Sequence, residues 1–319
     1  MALSGIQDCI DRVSDLSGQD YFCNSMQEFD VPFIQSFGKK LYDSYMAKEI
    51  HYCHGIIPTS SAPLMKYLKA LYEQNSIANM QSDKSPRIPL VVHMIWLGGK
   101  LPEKWKQMRR SWIEKHPHWL HILWVDKAQD PEEGQQIDLD QLHTYMRSQD
   151  HKGKMFIIDV SLLPLINKDA YGKAKNLGIK SDILRYEILY QFGGVYVDTD
   201  VECLTCFDML HYRYDFYAGL VADPVVLYIC NAIIACTQQN DIIRTCIQDL
   251  GKHVIKGTQI WWLETSTTSG PLHLTTTIAH YDKLFAGANV VLPPSFFYPK
   301  VGEPQKESMA IHHWAASWR

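Results

Sequence analysis

Between residues 88 and 201 the hydrophobic positions change period several times, and each change marks an element. Ile88 to Leu97 is a nearly unbroken apolar run closed by Gly98-Gly99, the pattern of a buried strand. Trp105, Met108, Arg109, Trp112 and Ile113 then recur at helical steps, so Pro102 to His116 reads as a helix. Trp119 to Asp126 is a second strand, which completes a strand–helix–strand unit. Pro131 to Gln136 is polar and reads as a loop, Leu139 to Arg147 as a helix, and Met155 to Leu163 holds a third short strand. From Ser181 to Phe192 the pattern is helical again, with Ser181 suited to cap the helix and Asp182 to its first turn. Gly193-Gly194 stops it. The β-branched and aromatic run that follows predicts a strand. Its alternation puts Val195, Val197, Thr199 and Val201 on one face and Tyr196, Asp198 and Asp200 on the other.

The flanks are less regular. Residues 1–85 read as a mostly helical extension: Ile6, Ile10, Val13 and Leu16 recur at helical steps, as do Leu64, Met65, Leu68, Leu71 and Tyr72. Pro58 to Pro63 divides this region, and Gln81 to Pro86 reads as the linker to a catalytic unit over 86–319. Beyond Asp200, Asp215–Leu220 and Cys230–Cys236 are strand-like, Asp241–Lys252 is helical, and Thr267–Leu272 is a turn opening onto a helix from Leu274 to Ala279. Val290–Pro294 is a last strand before the tail Ala310 to Arg319.

Composition narrows the class. The 319 residues can bury a sizeable core. Hydrophobic content of 46% and charged content of 21% are those of an ordinary globular protein, and a net charge of −4 gives no reason to expect nucleic-acid binding. Eight scattered cysteines do not make a disulfide framework, and Cys203-x-x-Cys206 lacks the second pair that a zinc site would need. The first residues carry neither the basic flank nor the apolar segment of a signal peptide, and no run is long enough to span a membrane. A cytoplasmic protein is the expectation, with export into a host cell by a signal-less route as the other.

The candidate chemistry centres on Asp198 and Asp200. Two carboxylates on one strand face repel unless a cation sits between them. Mg²⁺ and Mn²⁺ fit that need, since they take oxygen ligands and commonly bridge to a substrate's phosphates.

Three ordered stretches then carry a resemblance. Ile88 to Gly99, Ser181 to Asp200 (Ser-Asp-Ile-Leu-Arg-Tyr-Glu through Val-Tyr-Val-Asp-Thr-Asp) and the tail His-His-Trp-Ala-Ala-Ser-Trp resemble the DXD-containing sugar transferases. That group takes in yeast Golgi mannosyltransferases and the glucosyltransferase domain of the large clostridial toxins. The resemblance covers residues 88–319 in outline. It implies a GT-A fold, an open, mostly parallel α/β sheet flanked by helices. It also implies retaining transfer of a hexosyl or N-acetylhexosaminyl group from a nucleotide sugar with Mn²⁺ or Mg²⁺. Carried onto this chain, Trp96 stacks on the base, Asp182 binds sugar hydroxyls and Arg185 holds the diphosphate or the sugar. Tyr196 approaches the sugar or phosphate, Asp198 meets ribose and metal-bound water, and Asp200 ligates the metal. The tail supplies His313, with His312 as its rival, and Ser317 as further metal ligands, with Trp318 over the leaving group. Asn231 and the Thr268–Pro271 turn fall on the acceptor side.

Competing classes are a phosphatase of the haloacid-dehalogenase type, which lacks its later acidic pair here, and a carbohydrate-binding or scaffolding module. The expected function is transfer of a sugar from a UDP-sugar to an acceptor, with a protein side chain as one candidate, as in an effector or toxin. GDP-mannose-dependent glycan mannosylation is the alternative.

Overall fold

The structure is a computed structural model that describes residues 29–47, 61–148, 153–222, 227–252, 254, 261–280 and 287–315. The helical pattern predicted at Ile6 to Leu16, residues 58–60 of the predicted break, and Ser317 and Trp318 lie outside them, while Ser61 to Pro63, the other half of that break, open a helix. The first helices are α1 (Phe33–Phe37), α2 (Lys39–Ala47) and α3 (Ser61–Gln74). Then follow β1 (Val91–Trp96), α4 (Glu103–Lys115), β2 (Leu120–Val125), β3 (Gln135–Gln136), α5 (Leu139–Ser148) and β4 (Met155–Asp159). The central part is α6 (Lys168–Lys173), α7 (Leu177–Phe192), β5 (Gly194–Val197), β6 (Val201–Cys203), α8 (Asp208–His211), β7 (Phe216–Ala222) and β8 (Leu227–Cys236). The chain closes with α9 (Asp241–Gln248), α10 (Trp261–Thr268), α11 (Pro271–His280), β9 (Asn289–Leu292), α12 (Pro294–Phe297) and β10 (Ala310–His312).

Eight strands form one sheet in the order β3-β4-β2-β1-β5-β8-β7-β9. All its neighbours pair in parallel except those of β8, which runs against β5 and β7. This is the open, mostly parallel α/β sheet that the resemblance implies. From β1 the chain moves to β2 on one side, and later returns to place β5 on the other. The strand order therefore reverses between β1 and β5. In open α/β sheets such a switch point leaves a crevice outside the strands' carboxyl ends. Trp96 ends β1 there, and Asp198 follows β5.

Helix α7 backs this crevice. Ile179, Ile183, Leu184, Ile188, Leu189 and Phe192 are buried, together with Asp182, Arg185 and Glu187, as suits a helix enclosed on most sides. It packs on β1, β5 and β8. The helix begins a turn before the predicted Ser181: the side chain of Asn176 accepts from Ile179 N at 2.8 Å and caps it. Asn caps as well as Ser does, and the intervening Leu177-Gly178-Ile179 was not recognisable as helix from propensity alone. At Gly193 the backbone takes φ 64°, and at Gly194 φ 89°; a Cβ at Gly194 would stand 2.7 Å from Val91 O. The glycine pair thus lets the chain reverse against β1.

The predicted strand through Val201 divides in two. β5 ends at Val197, Val201 N donates to Asp198 O at 3.1 Å to close a turn, and β6 joins β10 in a separate antiparallel ribbon. Asp198 and Asp200 therefore meet around a turn, not along one strand face. Helix α10 was not legible in the sequence, while the Ser269-Gly270 turn between α10 and α11 falls within the predicted one.

Candidate active site

A cavity of about 320 Å³ opens at the switch point, and Trp96, Leu177, Asp182, Arg185, Asp198 and Asp200 are among its walls. Its floor is ionic. Arg185 Nη1 donates to Asn231 O at 2.6 Å and lies 3.3 Å from Asp198 Oδ1, while Nη2 lies 3.0 Å from Asp182 Oδ1. The guanidinium stacks on Tyr196, 4.4 Å from its ring centre. Tyr196 is 1% exposed, and its hydroxyl donates to Asp198 Oδ1 at 2.7 Å. Tyr196 thus supports Arg185 and orients Asp198 from beneath.

Asp182 has both oxygens engaged. Asn231 Nδ2 donates to Oδ1 at 2.9 Å and Ser269 Oγ to Oδ2 at 3.0 Å. Burial pushes its carboxyl up to about 6, with Arg185 pulling the other way and Asp198 adding to the rise. Burial opposes the charge on Arg185 too, but Asp198, Tyr196 and Asp182 together raise its pKa. Asn231 and the Ser269 turn, flagged in the sequence as lying together on the acceptor side, converge on Asp182.

Beside this floor, oxygen atoms of Asp198 and Asp200 and a ring nitrogen of His312 lie within 4.8 Å of one another. His312 Nε2 is 3.2 Å from Asp200 Oδ1, and Ala315 N donates to Asp200 Oδ2 at 2.7 Å. Burial pushes Asp198 above the usual carboxylate range, Arg185 countering it and Asp200 reinforcing it. Asp200 goes the other way: burial would raise it, but His312 and the Ala315 amide hold it below that range. Burial likewise disfavours a charged His312, yet hydrogen bonds to Asp200 and Cys230 push its pKa up to about 10. The two carboxylates supply the oxygen donors that Mn²⁺ and Mg²⁺ take, and the His312 ring would add a nitrogen once a cation displaces the proton it shares with Asp200. The residues present fit a divalent cation.

Of the histidine pair, the structure brings His312 to the aspartates, where the sequence favoured His313. Neighbours on a strand point to opposite faces. His312 ends β10 with its ring toward Asp200, and His313 turns to Glu202, its Nε2 3.1 Å from Oε2. Trp96 lines the same cavity, half-buried, with an indole Nε1 that is buried without a hydrogen-bond partner. Cys203 and Cys206 are unbridged, and burial pushes both thiols up. Sequence reasoning missed Tyr228, Trp262 and Trp314 on the cavity wall. Tyr228 and Trp262 come from segments outside the three motifs, where no local pattern sets them apart from core aromatics, and Trp314 sits inside the tail motif, whose expected roles went to its histidines, Ser317 and Trp318.

Residues 102–217 match the family described as glycosyltransferase sugar-binding region containing DXD motif. The chain is 30% identical over 165 residues to subversion of eukaryotic traffic protein A of Legionella pneumophila, covering 51% of this chain and 25% of that protein. It is 24% identical over 273 residues to inositol phosphoceramide mannosyltransferase 2 of Schizosaccharomyces pombe, covering 84% of this chain and 66% of that protein. The chain thus spans only part of the length of these relatives. Among solved structures, the catalytic domain of alpha-toxin from Clostridium novyi aligns with a TM-score of 0.46 at 12% identity, covering 80% of this chain and 82% of that one.

Proposed function

Residues 102–217 belong to the glycosyltransferase sugar-binding regions that contain a DXD motif, and from that premise we propose that the chain transfers a sugar from a UDP-sugar, with retention, to a hydroxyl-bearing acceptor. The observation that carries this reading is the meeting of Asp198, Asp200 and His312 beside Arg185 in the lining of one cavity. A divalent cation held by those three groups would bind the donor's diphosphate and stabilise the charge that builds as it leaves.

The chain's own residues do the rest. Trp96 offers a flat face for the base at the end of β1, and base stacking on an aromatic ring is worth roughly 1–3 kcal/mol. Arg185 neutralises phosphate charge, held in place by Tyr196 and Asn231 O. Asp182, oriented by Asn231 and Ser269, accepts from sugar hydroxyls through its remaining lone pairs. The cavity's carboxylates are Asp182, Asp198 and Asp200, and each is already engaged by neighbours. In this reading Asp198 and Asp200 are committed to the cation and Asp182 to sugar hydroxyls, so no carboxylate is assigned as a covalent nucleophile. The reading is therefore front-face transfer. The bond from the anomeric carbon to the phosphate oxygen breaks, and its electron pair goes to the phosphate. The acceptor oxygen bonds to that carbon from the same face, and its proton passes to the departing phosphate oxygen.

The similarity to an inositol phosphoceramide mannosyltransferase favours GDP-mannose as a second donor reading. The similarity to a Legionella protein named for subverting eukaryotic traffic supports action inside a host cell. Among the described residues no helix is long and apolar enough to cross a membrane.

The test is nucleotide diphosphate release from a panel of UDP- and GDP-sugars with Mn²⁺. Release from one donor, lost in Asp198→Ala, is the expected result. No release and no binding of either nucleotide would overturn the reading.

A further inference from the structure

Trp314 lies within the tail stretch His312 to Trp318, and the resemblance gives it no role. Its indole is 46% exposed and lines the cavity. One face lies against His312, ring centres 4.1 Å apart and planes at 41°, and Tyr298 lies 6.0 Å away. Its backbone is left-handed, φ 52°; among the described residues only Gln239 shares that region without being glycine. For a bulky residue this conformation costs about 1–3 kcal/mol and persists only where the surroundings enforce it. Here they do. His313 N donates to Asp200 O at 3.0 Å, and Ala315 N donates to Asp200 Oδ2 at 2.7 Å. Asp200 grips the chain on both sides of Trp314 and holds the indole over His312.

We propose that Trp314 is the acceptor platform and a specificity-determining residue: its outer face receives the apolar face of a polyhydroxylated ring, a pyranose or a cyclitol, that carries the reacting hydroxyl. The proposal rests on the front-face reading above. In that reading the acceptor oxygen must reach the departing phosphate oxygen, so the acceptor lies against the groups that hold the phosphates. Trp314 is the exposed aromatic surface packed directly on one of those groups, His312. A saturated ring has a C–H face that packs on an indole and a hydroxyl rim that remains free to react. A serine or threonine side chain offers no such face.

The experiment uses the full chain with Mn²⁺ and the donor identified by nucleotide release. Myo-inositol, methyl pyranosides, N-acetyltyrosinamide and N-acetylserinamide are offered as acceptors. Transfer to a cyclitol or pyranoside is expected. Trp314→Ala should raise that acceptor's KM at least about tenfold, with the donor's Kd, measured without acceptor, within about twofold. Trp314→Phe, which keeps a flat ring, should recover most of the loss. Transfer to neither ring acceptor, transfer confined to the amino-acid amides, or an equal loss of donor affinity in Trp314→Ala would overturn the proposal. Wild-type protein that releases no nucleotide from any donor would instead overturn the reading beneath it.

Discussion

His312 Nε2 lies 3.2 Å from Asp200 Oδ1, while the adjacent His313 is bonded to Glu202 on the opposite side of the same ribbon. Strand β10 pairs with β6 so that His312 is opposite Val201, the residue after Asp200. The pairing register delivers one imidazole to the aspartates and turns the other away. His312→Ala should therefore weaken Mn²⁺ binding by at least roughly tenfold in calorimetry, because it removes a ligand and not a distant support. His313→Ala should change it by less than about twofold. The opposite ranking would return the ligand role to His313.

Asp200 has two duties that one substitution can separate. Its carboxylate faces His312 and also accepts from the Ala315 amide. Asp200→Asn keeps an oxygen for that amide but removes the charge. Transfer should fall by at least about a hundredfold, while far-ultraviolet circular dichroism stays native. Asp200→Ala loses both duties and should also lower the melting temperature. Full activity in either variant would remove the metal-centred reading.

Arg185 is the point where Asp182, Asp198, Tyr196 and Asn231 meet. A lysine keeps the charge but cannot fork to two carboxylates while stacking on a ring. Arg185→Lys should therefore cost roughly a hundredfold in donor kcat/KM. Arg185→Met removes the charge and leaves two aspartates facing each other in a buried site. That should destabilise the fold by about 3–5 kcal/mol in urea titration. A methionine variant as stable as the wild type would show that the carboxylates do not depend on Arg185.

Much of this arrangement was legible in the sequence because it is local. The apolar run ending in Trp96, the pair Asp182 and Arg185 one helical turn apart, and the Gly193-Gly194 break can all be read from neighbours in the chain. What escaped depends on contacts between distant segments. Asn231 and Ser269, flagged in the sequence only for the acceptor side, reach Asp182 from β8 and from the α10–α11 turn. The choice between His312 and His313 is fixed by the β6–β10 register, which no window of sequence contains. The turn at Asp198–Val201 escaped because Val, Thr and Asp alternate there as they would in a strand.

Four buried histidines set the behaviour in acid. His93 Nε2 donates to Gly193 O at 3.0 Å, and its Nδ1 accepts from Trp124 Nε1 at 3.2 Å. His116 Nδ1 donates to Trp112 O, and its Nε2 accepts from Phe207 N at 2.8 Å. His211 Nδ1 donates to Ile88 O, and its Nε2 accepts from the Tyr217 hydroxyl. His121 Nε2 donates to His116 O at 2.9 Å. The first three rings each use one nitrogen as donor and the other as acceptor, so the neutral form is built in. Burial lowers His93, His116 and His211 to about 3 and His121 to about 4. These pKa values lie below the unfolded value of 6.5, so between the two it is the unfolded chain that takes up protons. The stabilisation is complete above pH 6.5 and is lost as pH falls toward 4 for His121 and toward 3 for the other three. Four protons correspond to a slope of about 5 kcal/mol per pH unit at its steepest. A marginally stable domain should then unfold near roughly pH 5, above the range where exposed carboxylates protonate. Circular dichroism against pH checks this. His93→Asn or His211→Asn, which cannot become charged, should flatten the slope by about a quarter, and an unchanged slope would mean that the rings are not held neutral.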